Sequence, residues 1–145
     1  AFCLTSCDSN MVFEQNKPIR DAVWKSENKV IFETQISDTV SLYNLYFNIR
    51  NSGNFKFSNL YIFVDVFQPD GRIDSDTIEC ILADTRGRWL GKSGSGSIWD
   101  NQILFNRKTR FPGAGKYVFR FEQAMREKEL EHIMEVGLRI EKIYE

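Results

Sequence analysis

Alternation of apolar and polar residues is the feature that most limits how this chain can fold. Tyr43, Leu45, Phe47 and Ile49 are separated by Asn, Tyr and Asn, so the four would share one side of an extended segment. Successive side chains of a β-strand point to opposite faces, whereas a helix needs apolar residues three and four positions apart. Residues 43–50 are therefore predicted to form a strand with one face against a core.

Similar segments follow at short intervals, and turn-forming residues separate them. The predicted strands cover residues 30–36, 43–50, 60–67, 77–83, 88–90, 103–105, 117–122 and 138–141. The segment 60–67 is apolar on both faces, which is typical of a central strand. Leu130, Ile133 and Met134 lie three and four apart, which predicts one short helix over residues 126–134. This pattern favours a mainly β fold, a jelly-roll-like β-sandwich with one short helix near the C-terminus.

The first part of the chain has no sustained period and carries a different signal. An apolar Phe-Cys-Leu, then Thr5 and Ser6, precede Cys7, an order similar to the end of a lipoprotein signal and its processing site. In this interpretation residues 1–6 are a residual signal-peptide tail and Cys7 is acylated. Residues 7–29 would form a lipidated tether, and residues 30–145 one β-sandwich domain. The lipid would hold the protein at a membrane, because no apolar run approaches the ~20 residues that span a bilayer.

Charge and residue types exclude several classes of function. The formal net charge of -1 gives no basic surface with which to displace counterions from nucleic acid. The only histidine, His132, lies among glutamates and is expected to be solvated on the polar side of the predicted helix. Cys80, in an apolar run, is expected to be a buried and inert thiol. No catalytic residue and no cofactor is predicted.

Two further patterns resemble ligand motifs and are explained more simply as turns. Carboxylates are concentrated at Asp70, Asp74, Asp76, Glu79 and Asp84, but their spacing matches no EF-hand, so we expect turn residues and no metal. The segment 87–93 ends in Gly-Lys-Ser, yet it has three residues where a P-loop needs four. We expect a glycine-rich hairpin connection there, followed by an exposed loop over residues 91–97.

Trp24, Trp89 and Trp99 all fall in or beside predicted loops, and two interpretations stay open for them. They could close the ends of the sandwich and complete its core. Alternatively, exposed indole rings could stack on sugar rings, as on many carbohydrate-binding modules. They are therefore the candidate ligand or partner contacts.

Several short blocks, in order along the chain, resemble the gliding-motility lipoprotein family known as GldH. The blocks are Arg50-Asn51, Ser58-Asn59-Leu60-Tyr61, Asp76-Thr77-Ile78-Glu79, Leu82-Ala83-Asp84, Gly87-Arg88-Trp89-Leu90-Gly91, Tyr117-Val118-Phe119, Met125-Arg126 and Val136-Gly137-Leu138-Arg139-Ile140-Glu141. Together they span about residues 7–142. One departure is Gly96-Ser97, where a Gly-Asp is expected in the family.

The resemblance implies a lipoprotein of the bacterial cell envelope, anchored through Cys7 and associated with gliding, which shares machinery with type IX secretion. We therefore expect a non-enzymatic structural or adaptor component with protein partners in the envelope, on the periplasmic face of its membrane. The alternative is a lipid-anchored glycan-binding module that uses the three tryptophans.

Overall fold

The computed structural model of this chain describes residues 10–144, and that part is almost entirely β-strand with one 3-10 turn at Arg20–Ala22. Residues 1–6 and Cys7, which carry the signal-peptide and lipidation predictions, lie outside the described residues. In chain order the strands are β1 (Met11–Pro18), β2 (Val23–Lys25), β3 (Val30–Ile36), β4 (Leu42–Ser52), β5 (Asn59–Phe67), β6 (Ile73–Ile81), β7 (Lys92–Ser93), β8 (Ile98–Thr109), β9 (Gly115–Gln123), β10 (Glu129–Glu131) and β11 (Ile133–Ile143).

The strands of the described part form two large antiparallel sheets and one small one. Sheet I has five strands in the order β1-β11-β4-β8-β7, sheet II has four in the order β3-β9-β5-β6, and β2 pairs with β10. Phe47 on sheet I and Phe121 on sheet II meet edge to face with their ring centroids 4.9 Å apart. The two sheets therefore share one core, and the predicted β-sandwich is confirmed.

Segments 30–36, 43–50, 60–67 and 117–122 form strands close to their predicted bounds, whereas β6, β8 and β11 begin earlier than predicted. The predicted strand at 88–90 is wrong, since only an isolated bridge between Ala83 and Trp89 forms there. On β4 the residues Tyr43, Leu45, Phe47 and Ile49 are all buried, while the residues between them are only partly buried. Strand β5 lies between β9 and β6, as its apolar composition predicted. Its second apolar face is not covered by another layer, because Tyr61 and Phe63 remain 39% and 44% exposed.

Aromatic rings dominate the contact between the sheets. Phe121 has no exposed surface, and its ring centroid lies 5.3 Å from that of Phe32, 4.9 Å from that of Phe47 and 6.1 Å from that of Phe105. Phe47 and Phe105 stack at 4.1 Å. Because each ring buries a large apolar area, this cluster contributes strongly to the stability of the shared core.

The predicted helix over residues 126–134 is wrong. Residues 129–131 form β10, and Leu130 lies opposite Trp24 on β2. His132 then adopts a left-handed backbone conformation with φ of 74° before β11 begins. This break lets Leu130 and Ile133 both face the core, whereas a continuous strand would place residues three apart on opposite faces. The helix-like spacing arises from an interruption between two strands.

The predicted tether is also wrong for residues 11–25, since β1 and β2 belong to the folded domain. Strand β1 pairs with β11 along most of its length, and Trp24 on β2 is 1% exposed. The indole Nε1 of Trp24 donates a hydrogen bond to the carbonyl oxygen of Asn28 at 3.0 Å. Strand β1 lacks alternation because it is an edge strand held mainly by its backbone hydrogen bonds.

Cys80 confirms the expectation of a buried thiol. It is fully buried on β6, and burial raises its pKa to about 12, so the reactive thiolate is strongly disfavoured. In the segment 91–97, residues 92–97 are exposed, as expected. Within it, Lys92 and Ser93 form the short strand β7, which pairs with β8. Among residues 10–144, no helix has the length and apolar character needed to cross a membrane.

The aromatic cluster yields a stability prediction. Phe121→Ala should lower the free energy of unfolding by about 3–5 kcal/mol, because it removes a buried ring and leaves a cavity between the sheets. Phe63→Ala, on the uncovered face of β5, should change it by less than about 0.5 kcal/mol. Urea unfolding followed by circular dichroism measures both, and equal losses would contradict the assignment of Phe121 as the centre of the core.

Candidate functional site

The outer face of sheet I carries an open groove of about 550 Å³, which we call the polar groove. Polar side chains from the four neighbouring strands β1, β11, β4 and β8 line it, chiefly Glu14, Asn16, Glu135, Asn48, Arg50, Asp100 and Gln102. They lie together because alternate residues of a strand share a face, and the register of the sheet aligns them across strands. The inward neighbours on the same strands fill the core.

Ion pairs cross one end of the polar groove. The Arg50 guanidinium donates hydrogen bonds to both carboxylate oxygens of Asp100, at 2.7 and 3.3 Å, and to Glu135 at 3.2 Å. The bond to Asp100 is the main reason that the pKa of Arg50 is raised. A bidentate pair of this kind fixes the guanidinium plane. Arg50 is therefore a rigid part of the wall.

A second charged network borders the other end of the groove. Arg139, only 7% exposed, donates to Glu14 at 2.9 Å and to Glu141 at 2.7 Å. The Tyr46 hydroxyl also donates to Glu141, at 3.1 Å, and burial raises the pKa of this phenol. A buried arginine is tolerated only when its charge is paired, and here two carboxylates balance it.

Between these networks, carboxamide side chains form the floor of the groove. The Asn48 Nδ2 donates to Glu14 at 2.8 Å and to the Asn16 Oδ1 at 3.0 Å. The Asn16 side chain lies across Gly137 of β11, where a Cβ atom would displace that side chain and would be only 2.8 Å from the backbone oxygen of Gln15. Gly137 is therefore required for this close approach.

Sheet II exposes a second surface, which we call the apolar face and define by Ile31, Tyr61, Phe63, Phe67 and Ile73. Ile31, Phe63 and Ile73 are 42%, 44% and 54% exposed. These residues lie on the side of β3, β5 and β6 that points away from the core. The face therefore presents large side chains to solvent without a covering layer in the described part of the chain.

An ion pair lies in the middle of the apolar face. Arg120 donates to Asp65 at 2.7 and 3.2 Å, and its guanidinium lies 4.8 Å from the ring centroid of Phe67. The Ser75 hydroxyl donates to Asp65 at 2.6 Å. The bond from Ser75 and then that from Arg120 hold the pKa of Asp65 below its usual range. The pair is thus fixed between aromatic and aliphatic neighbours.

The three tryptophans do not form an exposed platform. Trp24 is buried in the core, in line with the first of the two interpretations left open for it. Trp89 and Trp99 are partly buried, with ring centroids 6.0 Å apart, and Trp89 also lies 6.4 Å from Phe55. They close one end of the sandwich. No observation assigns Trp89 or Trp99 a ligand.

The acidic residues and His132 have structural roles. Asp84 accepts backbone hydrogen bonds from Arg86 and Arg88 at 2.9 Å. These bonds shape the turn that precedes the segment 87–93, which the sequence analysis compared with a P-loop. Asp70 caps the neighbouring turn in the same way. The backbone N–H of His132 donates to Ala22 at 2.7 Å, so this residue connects β10 to the N-terminal segment. Within residues 10–144 no three His, Cys, Asp or Glu side chains are grouped so as to hold a metal ion.

Sequence reasoning identified neither the polar groove nor the apolar face. The signal available for the groove was the polar half of the alternation on β4, where Asn48 and Arg50 occur. The signal available for the apolar face was that β5 is apolar on both of its sides. Neither surface can be predicted without knowing which strands pair and in what register, because the other residues of each surface come from distant parts of the chain.

Comparison with known proteins gives a consistent result. The family model described as GldH lipoprotein matches residues 11–140. The gliding motility lipoprotein GldH homolog of Christiangramia forsetii is 34% identical over 145 residues, which cover 95% of this chain and 88% of that protein. The gliding motility lipoprotein GldH of Flavobacterium johnsoniae is 33% identical over 148 residues, with 97% and 91% covered.

Solved structures are more distant. A chain from the structure of infectious bursal disease virus, Gt strain, aligns with a TM-score of 0.37 and 10% identity. The alignment covers 88% of this chain and 29% of that one. Likeness at this level does not inform on function.

The Asp65–Arg120 pair predicts a specific dependence of stability on pH. Because the pKa of Asp65 is lowered on folding, the unfolded chain takes up a proton at about pH 4 while the folded protein keeps the carboxylate. Its contribution is present above that pH and is lost as the pH falls through the lower, folded value. Asp65→Asn should therefore destabilise the protein at pH 7, and the difference from the unsubstituted protein should shrink on acidification below about pH 4.

Urea unfolding at a series of pH values measures this difference. Glu33→Gln, which removes an exposed carboxylate from the same side of sheet II, serves as the control and should show no such change. A difference for Asp65→Asn that stays constant from neutral to acidic pH would contradict the predicted role.

Proposed function

The chain belongs to the GldH lipoprotein family, and on this basis we propose that it is a membrane-anchored gliding-motility lipoprotein of the cell envelope. It acts as a non-enzymatic structural or adaptor component of gliding machinery or of the type IX secretion machinery linked to it. The match to the family over residues 11–140 and the two relatives named for gliding motility support this proposal.

The apolar face is the observation that favours an adaptor. Its large exposed side chains surround an arginine that is already paired and stacked on Phe67. Aromatic residues and arginine are the residue types enriched at the energetically important centres of protein interfaces. Exposed apolar surface is otherwise costly on a secreted domain. We therefore assign partner binding to sheet II.

Membrane attachment is assigned to a lipid on Cys7. Each buried CH₂ group of an acyl chain contributes about 0.8 kcal/mol, so one chain binds reversibly and two or more hold a protein durably. The residues after Cys7 are Asp8, Ser9 and Asn10, with a single acidic residue. The absence of an acidic run there supports placement on the periplasmic face over export to the cell surface.

The anchor can be tested directly in the full precursor. Cys7→Ala should stall processing or release the protein from the membrane fraction, while circular dichroism of the purified variant shows an unchanged β-sandwich. Cys80→Ala provides the control, since that thiol is buried and should have no effect on fractionation. Normal processing of Cys7→Ala with retention in membranes after a high-salt wash would overturn the lipid anchor.

The adaptor role predicts that partners are lost when the apolar face is changed. Pull-down of the intact lipoprotein from solubilised membranes, with mass spectrometry, should recover gliding or secretion proteins. Phe63→Lys should reduce this recovery about tenfold or more, because it places a charge at the centre of the interface. The new lysine would face Glu122, so the fold should tolerate it.

Val40→Lys is the matched control for that experiment, because Val40 is 78% exposed and lies outside the apolar face. Equal recovery of partners with Phe63→Lys and with Val40→Lys would show that sheet II does not bind them. Recovery of no gliding or secretion protein by the unsubstituted lipoprotein would overturn the adaptor proposal itself.

A further inference from the structure

We propose that the polar groove of sheet I is a binding site for a neutral saccharide. The inference goes beyond the adaptor role and is independent of it, because the groove, apart from Ile81 at its rim, lies on sheet I and the segment that follows β6, whereas the apolar face lies on sheet II. It rests on the shape, the charge balance and the hydrogen-bonding groups of the groove.

The groove has the size and composition of a site for a small ligand. Its volume of about 550 Å³ falls within the range of about 300–1,000 Å³ found for ligand pockets. Leu90 and Ile81, which are 57% and 51% exposed, form an apolar rim on one side, and β1 forms the opposite wall. A ligand lying between them would meet aliphatic surface at one edge and polar groups beneath.

Charged ligands do not fit the balance of charge. Arg50 is already bound to Asp100 and Glu135, and Arg139 to Glu14 and Glu141. An anion would meet the carboxylates of Glu14, Asp100 and Glu135, and a cation would meet Arg50 and Lys92. Charges that are neutralised within the wall leave little field for an ion. The ligand that fits is therefore uncharged.

The remaining groups match hydroxyl groups in number and kind. The Gln102 carboxamide and the Lys92 ammonium make no side-chain hydrogen bond within residues 10–144, and both line the groove. The Asn16 carboxamide accepts a bond through its oxygen, which leaves its NH₂ group to donate. A carboxamide both donates and accepts, and each sugar hydroxyl does the same. Neighbouring hydroxyls of one ring can thus be bound in pairs.

The side chains are also held in position before a ligand arrives. Asn48 is fixed by two hydrogen bonds, Arg50 by three, and Asn16 by its contact across Gly137. Groups that are already ordered lose little conformational freedom on binding. This favours measurable affinity for a small polar ligand, even though no exposed tryptophan lines the groove.

The test uses the ¹⁵N-labelled full chain carrying Cys7→Ala, so that no lipid is attached. Cellohexaose, laminarihexaose, maltohexaose and chitohexaose are each titrated while amide resonances are recorded, with dextran sulfate as the charged probe. We expect at least one neutral oligosaccharide to shift the side-chain amide signals of Asn48 and Gln102. Gln102→Ala should weaken its binding about three- to tenfold, the effect of one lost hydrogen bond.

Gln35→Ala is the matched control, since Gln35 is also an exposed carboxamide, lies on sheet II and should not affect binding. Three outcomes would each overturn the proposal: no shift with any neutral oligosaccharide, shifts centred on Trp89 and Trp99, or binding of dextran sulfate alone. The groove and the adaptor role are separable, because Gln102→Ala should leave recovery of protein partners unchanged.

Discussion

Packing of the Phe121 ring of sheet II against Phe47 and Phe105 of sheet I joins the two sheets, and the arrangement of both outer surfaces depends on it. Because side chains alternate along a strand, burying one set of residues sends the other set outward. On β4 this places Asn48 and Arg50 in the polar groove, and on β5 it places Phe63 on the apolar face. A register slip of one residue would exchange inside and outside on that strand.

The two outer surfaces differ in chemistry because their strands differ in composition. Sheet I places paired charges and carboxamides outward, whereas sheet II places aromatic and aliphatic side chains there. One of the two edge strands of sheet II is β6, which carries Asp74, Asp76 and Glu79. Charged side chains on an edge strand hinder pairing with another chain, so the acidic cluster noted in the sequence protects this edge. The proposed partner would then contact the face of the sheet.

The sequence was informative where local pattern and tertiary environment agree. β3, β4, β5 and β9 were predicted well because each has one face in the core, and burial requires alternation there. β1 was missed since its hydrogen bonds to β11 involve the backbone and leave its side chains largely free to vary. The apparent helix at residues 126–134 came from one residue, His132, whose backbone conformation breaks the period.

The candidate surfaces could be predicted only in part, for a related reason. Asn48 and Arg50 were visible as polar residues of a strand, but their partners Glu14 and Asp100 are 34 and 50 positions away. Nothing in the local pattern states which strands become neighbours. The burial of Trp24 has the same cause: whether a tryptophan beside a loop is buried or exposed depends on packing partners that the local pattern does not identify.

The start of β1 at Met11 has a consequence for a protein attached through Cys7. Four Cα–Cα steps separate the two residues, which bounds their distance at about 14 Å. A lipid on Cys7 would therefore confine the sandwich to a thin layer above the bilayer, where encounters become two-dimensional. Partners in the same membrane would experience a high effective concentration of the domain, so even a weak contact could be well populated. With so short a linker, the domain would contact only partners close to the membrane surface.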